Sequence, residues 1–116
     1  ILSIKGRKFN IKNYYDGIAR FDFNDLCNKN IGAEDYIKIA NLCKYILIEN
    51  LPNFNDNNSN QQQRFIILID IIYEKKVNLT ISSASSLNKL TSAKSLSVSF
   101  KRTTSRIHEL TTSSNI

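Results

Sequence analysis

The hydrophobic pattern divides the chain into short strand-like pieces followed by longer helical ones. "ILSIK" and "RKFNIK" read as two short strands, with Gly6 permitting the turn between them. "GIARFDF" sets Ile18, Arg20 and Asp22 against Ala19, Phe21 and Phe23 and predicts a third strand. Asn24 is placed to cap a short helix through "DLCNKN", which stops at Gly32. From Ala33 the period changes: Tyr36, Ile39, Ala40 and Cys43 fall at helical spacing. Glu34 and Asp35 sit in the first turn, where the helix dipole favours acids. This helix is expected to run to about Lys44. "YILIE" is then a short buried strand closed by "NLPNF", and "NDNNSNQQQ" is expected as a polar loop that does not pack.

The stretch "RFIILIDIIYEKK", Arg64 to Lys76, admits two readings. Four apolar residues before an aspartate resemble the metal-gripping strand of a P-loop ATPase. That chemistry needs a second carboxylate beside Asp70 to polarise water, and the neighbour is Ile71. It also needs an upstream G-x-x-x-x-G-K-[ST] loop, and none of Gly6, Gly17 or Gly32 begins one. Apolar residues continue through Ile71, Ile72 and Tyr73, and Gln61–Lys76 contains neither Gly nor Pro. Length and continuity outweigh the strand propensity of isoleucine, so a helix is predicted. "VNLTIS" follows as a strand. "SASSLNKLTSAKSLSVS" is irregular apart from one helical turn around Leu87 and Leu90. "FKRTTSRIHEL" is the last helix, capped at Thr103 or Thr104 with Ile107 and Leu110 as its apolar edge, and "TTSSNI" frays. The order predicts an α/β fold: a short, mostly parallel sheet with flanking helices and an N-terminal β-hairpin, in one domain over 1–116.

Composition narrows the function classes. With 41% hydrophobic and 22% charged residues, 116 residues make one globular domain or a piece of a larger one. No apolar run approaches the roughly 20 residues that cross a bilayer. The start at Ile1 has no initiator methionine or signal pattern and is expected to be a cut inside a longer protein. A net charge of +6 favours anionic partners. The basic residues are scattered, without the aromatic interleaving that single-stranded nucleic acid needs, so sequence-independent nucleic-acid binding is a third possibility that rests on charge alone. Cys27 and Cys43 with the lone His108 make no metal site; two reduced, partly buried thiols are expected. Ser82, Ser83 and Ser85 lack the glycines of a nucleophile elbow.

Arg102 and Arg106 lie one turn apart, so on a helix they project from one face. Such a pair can grip a phosphate or carboxylate. Alternatively, Arg106 pairs with Asp70 or Glu109 and pins the last helix in place.

Several separated motifs, "F-x-x-L-C" at Phe23–Cys27, "G-A-x-D-Y" at Gly32–Tyr36 and "R-F-I-x-L-I-D-x-x-Y" at Arg64–Tyr73, together with "FKRTTSRIHEL", resemble the carboxy-terminal third of the AFG-one-like/ZapE family of AAA+ ATPases. The resemblance covers nearly the whole chain. It implies a longer P-loop ATPase whose phosphate loop and metal-binding acids lie outside this sequence, so that ATP and Mg belong to the full-length protein and this piece binds neither alone. The matched positions are Arg7, Arg20, Asp25, Asp35, Tyr36, Arg64, Asp70, Tyr73, Arg102, Ser105 and Arg106. Arg102, Arg106 and Arg64 are candidates for nucleotide sensing or a subunit interface. Phe23, Cys27, Asp35, Tyr36, Asp70 and Tyr73 are candidates for structural roles, and no residue is expected to be catalytic. The resemblance further implies a homo-oligomer, a division or quality-control protein as partner, and a cytoplasmic location, membrane-peripheral or mitochondrial in some members. The alternative is a non-catalytic interaction domain that docks an acidic partner. The sequence departs from the family at Gln63, where a basic residue is usual, and at Leu110, where methionine is usual.

Overall fold

The computed structural model of the chain describes residues 2–4, 7–9, 13–27, 31–83 and 89–113. Strands β1 (Leu2–Ile4) and β2 (Arg7–Phe9) pair antiparallel, with Leu2 opposite Phe9, as the expected N-terminal hairpin. Gly6 lies outside the described residues. A four-stranded sheet follows in the order β3 (Asn13–Tyr15), β4 (Ile18–Asp22), β5 (Tyr45–Leu51), β6 (Asn78–Ser83). The first pair is antiparallel and the other two are parallel, so the fold is α/β with a mostly parallel sheet.

Strand β3 is absent from the sequence reading. Its cause is the Asp16–Gly17 turn, with φ of 51° and 86° at the two central residues. Two consecutive positive φ values define the mirror-image turn whose twist suits a two-residue hairpin, and Asp-Gly is a preferred pair for it. The Gly17 carbonyl then accepts from the Lys44 and Tyr45 amides at 2.7 and 3.2 Å, which fastens the turn to the start of β5.

Helices α1 (Phe23–Cys27) and α2 (Ala33–Leu42) connect β4 to β5, and α3 (Ser59–Lys75) connects β5 to β6. Both crossovers advance in the same direction along the sheet, and right-handed connections of that kind place their helices on one face. Burial follows suit: Ala19, Ile46 and Leu79 stand side by side in register, all at 0% exposure. Helix α3 shares one hydrophobic core with them. Phe65, Leu68, Ile69 and Ile72 recur at helical spacing and are buried, which settles the two readings of "RFIILIDIIYEKK" in favour of a helix. It ends at Lys76, whose left-handed φ of 58° lets its amide reach back to Ile72 and Tyr73. Phe54 sits between Phe23, Phe65 and Phe100, with ring centroids 5.5–5.7 Å away. Such tilted and edge contacts add to the burial of apolar area.

Three local expectations are corrected. The cap of α1 is Asp22, whose carboxylate accepts from the Asn24 amide at 3.0 Å, and the helix has already begun at Phe23. The tract "NDNNSNQQQ" packs: Asn55 caps a 3-10 turn over Asp56–Asn58, and α3 starts at Ser59. Gln62 is fully buried, donating to the Ser92 hydroxyl at 2.7 Å and accepting from the Ala93 amide at 3.0 Å. A composition-based reading misses this because both amide atoms find fixed partners 30 residues away. Finally, helix α4 (Ser97–Ser113) begins well before Thr103 and continues past Leu110. Packing of Phe100 onto Phe54 draws the serine-rich turn into the helix, and the buried Thr103 hydroxyl donates to the Ser99 carbonyl instead of capping. Leu87 lies outside the described residues, and the half-buried Leu90 packs against the core without being helical.

Gly17→Ala should lower stability by about 1 kcal/mol, because an alanine at this φ is strained. At the extended Gly32, which caps α2 with open space around it, Gly32→Ser should change stability by no more than about 0.5 kcal/mol. Urea midpoints of the two variants check the contrast.

Candidate functional site on helices α3 and α4

Residues three and four apart align on one side of a helix. Asp70 and Tyr73 on α3 thereby meet Arg102, Arg106 and Glu109 on α4. Arg106 donates through Nη1 to Asp70 Oδ1 at 2.5 Å, and its guanidinium lies 4.8 Å from the centre of the Tyr73 ring. Tyr73 donates its hydroxyl to both Glu109 oxygens, at 3.1 and 3.0 Å. That bond, reinforced by the negative charge of Glu109, raises the Tyr73 pKa above its ordinary value. Arg102 Nη2 stands 3.7 Å from Asp70 Oδ2, and 60% of its side chain is exposed.

One carboxylate thus faces two guanidiniums. Asp70 is committed to Arg106, which leaves Arg102 only a long contact and most of its donors in water. The site therefore presents a loosely held, largely exposed guanidinium, in the bidentate form that suits a phosphate or carboxylate. Beside it opens a cleft of about 400 Å³ lined by Tyr73, Lys76, Val77, Asn78, Glu109 and Leu110. The pairing of Glu109 with Tyr73, and the cleft itself, are not in the sequence reading. The shared three-residue spacing of Asp70–Tyr73 and Arg106–Glu109 was the available signal.

The remaining motif residues meet elsewhere. Arg64 donates to the Cys27 carbonyl at 3.1 Å, capping the end of α1. Tyr36 donates to the Leu26 carbonyl at 2.7 Å, and Asp35 accepts from the Gly32 amide at 2.9 Å at the start of α2. Phe23, Cys27, Asp35, Tyr36 and Arg64 therefore form a joint between α1, α2 and α3, with Arg64 holding backbone there. Burial pushes the Cys27 thiol up to about 12 against the lowering effects of Tyr36 and Arg64, and it also raises the Tyr36 hydroxyl. Burial raises Cys43 to about 11. Arg20 pairs with Glu49 at 2.7 Å on the sheet, and Ser105 is exposed on α4. The Arg7 side chain lies outside the described residues.

The sequence has no phosphate-cradling loop, and among the described residues no group of three or more His, Cys, Asp or Glu could hold a metal ion. No described helix is long and apolar enough to cross a membrane.

A family model for AFG1-like ATPases matches residues 1–116, and the chain belongs to that family. It is 31% identical over 90 residues to Lactation elevated protein 1 homolog B of Danio rerio, covering 78% of this chain and 18% of that protein. It is 28% identical over 88 residues to Cell division protein ZapE of Escherichia coli K12, covering 76% of this chain and 24% of that protein. The chain thus matches a quarter or less of the length of these relatives. No solved structure matches it.

Two outcomes follow. Asp70→Asn should cost about 1 kcal/mol, since the pair is only partly buried, and should free both arginines; thermal melting measures it. Because both thiols are raised above the ordinary 9.0, the folded protein keeps them protonated while the unfolded chain ionises. Their contribution is complete below pH 9 and is lost as pH climbs toward 11–12. The urea midpoint at pH 10 should therefore lie below that at pH 8, with a smaller drop in Cys43→Ser.

Proposed function

We propose that this chain is the carboxy-terminal module of an AAA+ ATPase, which supports hydrolysis and oligomer contacts while the rest of the protein binds ATP and Mg. The observation that carries this reading is Arg102, a guanidinium with 60% of its side chain exposed beside a carboxylate already held by Arg106. Asp70 fixes the direction of Arg106, and the Tyr73 ring flanks its guanidinium. Positioned cations of this kind stabilise charge that develops on a transferring phosphoryl group, whether on the same subunit or a neighbour. Membership of an ATPase family supplies the chemistry, and the relatives' greater length supplies room for a phosphate loop. Arg64, which donates to the Cys27 carbonyl, stays a candidate for the same sensing or interface role. A role in division, by analogy with ZapE, and a cytoplasmic location belong to the same proposal. Docking of an acidic protein on Arg102 is the competing reading, favoured by the net charge of +6.

In the full-length protein, Arg102→Ala should leave the melting temperature unchanged, because its contact is long and exposed, and should cut ATP turnover at least about tenfold. Arg106→Ala should cut turnover as well, with a lower melting temperature. Wild-type turnover in Arg102→Ala, with loss of an acidic partner, would favour the docking reading.

A further inference from the structure

Among the described residues, the second face of the sheet is only partly covered. In register across the strands, Tyr15, Ile18, Tyr45 and Asn78 form one row on that face, and Arg20, Leu47 and Thr80 form the next. Tyr15 is 81% exposed and Ile18 53%, while Tyr45 and Leu47 are only half-buried. Topology explains the gap. Because β4, β5 and β6 follow one another without reversing direction, both right-handed crossovers fall on the same side.

Parallel strands are ordinarily covered on both faces, and strands so covered read as continuous apolar runs instead of alternating ones. The central strand β5 has that signature: "YILI" is apolar on both sides, although only Ile46 and Ile48 meet the core. Tyr45 and Leu47, on the other side, stay only partly covered by the described residues. The face also ends in ordered polar groups. Arg20 pairs with Glu49, Tyr45 and Thr80 join hydroxyls, and Asn50 donates to Asp22 at 2.6 Å.

We infer that this face is covered in the full-length protein by an amphipathic helix from outside residues 1–116. The occupant is part of the same longer chain because the matched segment is only 18% and 24% of its relatives. An apolar stripe on that helix lies across Tyr15, Ile18, Tyr45 and Leu47, and a polar flank reaches the Arg20–Glu49 pair. This rests on the reading of the chain as a module of a longer ATPase. It places the contact between module and remainder on the sheet, away from the arginine cluster between α3 and α4.

Thiol accessibility in the full-length protein tests it. Ile18→Cys and Tyr15→Cys are each labelled with a maleimide, read by mass spectrometry of the modified peptide and normalised to the rate in urea. Val98→Cys, at a position 83% exposed on α4, is the open reference. Cys27 and Cys43 are buried and contribute little background. Both sheet cysteines should label at least tenfold more slowly than the reference, unchanged on hundredfold dilution. Labelling as fast as Val98→Cys overturns the inference. Protection that disappears on dilution also overturns it and assigns the face to a second copy. The readout does not depend on turnover, so a protected face with normal hydrolysis in Arg102→Ala removes the sensing role alone.

Discussion

Everything else in the molecule depends on α3 being coiled and buried along one side. Phe65, Leu68, Ile69 and Ile72 pack at the centre of the core, with the sheet beneath and α2 and α4 beside them. Each such side chain contributes about 1.5–3 kcal/mol through burial, so this one stripe outweighs any single polar contact in the structure. Extended, the same residues would alternate between two faces, and half of the isoleucines would leave the core.

Coiling also decides the chemistry. On a strand end, Asp70 would point into the space beyond the sheet where P-loop enzymes hold their metal. On the helix it is half-buried against α4 and engaged by Arg106. A carboxylate held closely by one guanidinium holds the second only at long range, and the exposure of Arg102 follows from that. The other motif residues act locally. Arg64, Asp35 and Tyr36 satisfy backbone groups where α1 and α2 meet, which keeps a short helix end from carrying unpaired donors and acceptors.

The α/β order, the crossover helix and the parallel strands were legible because long periodic segments carry their own pattern. The pairing of Arg106 with Asp70 was legible only as one of two choices, since spacing defines a helix face and not what lies opposite. Strand β3 was missed although Asp16–Gly17 is a hairpin signal in its own right; "NYY" is too short and too polar at its start to register as a strand. Gln62 and Thr103 were unreadable for a different reason. Their polar side chains are buried because partners distant in sequence, or one turn back, meet them in the fold. The early start of α4 depends likewise on Phe100 finding Phe54.

The central proposal is that these residues complete a larger ATPase. It is tested most directly by ATP turnover of the full-length protein against the same protein lacking residues 1–116. Turnover should fall to background in the truncated protein while its nucleotide binding persists. Undiminished turnover without this segment would contradict the account.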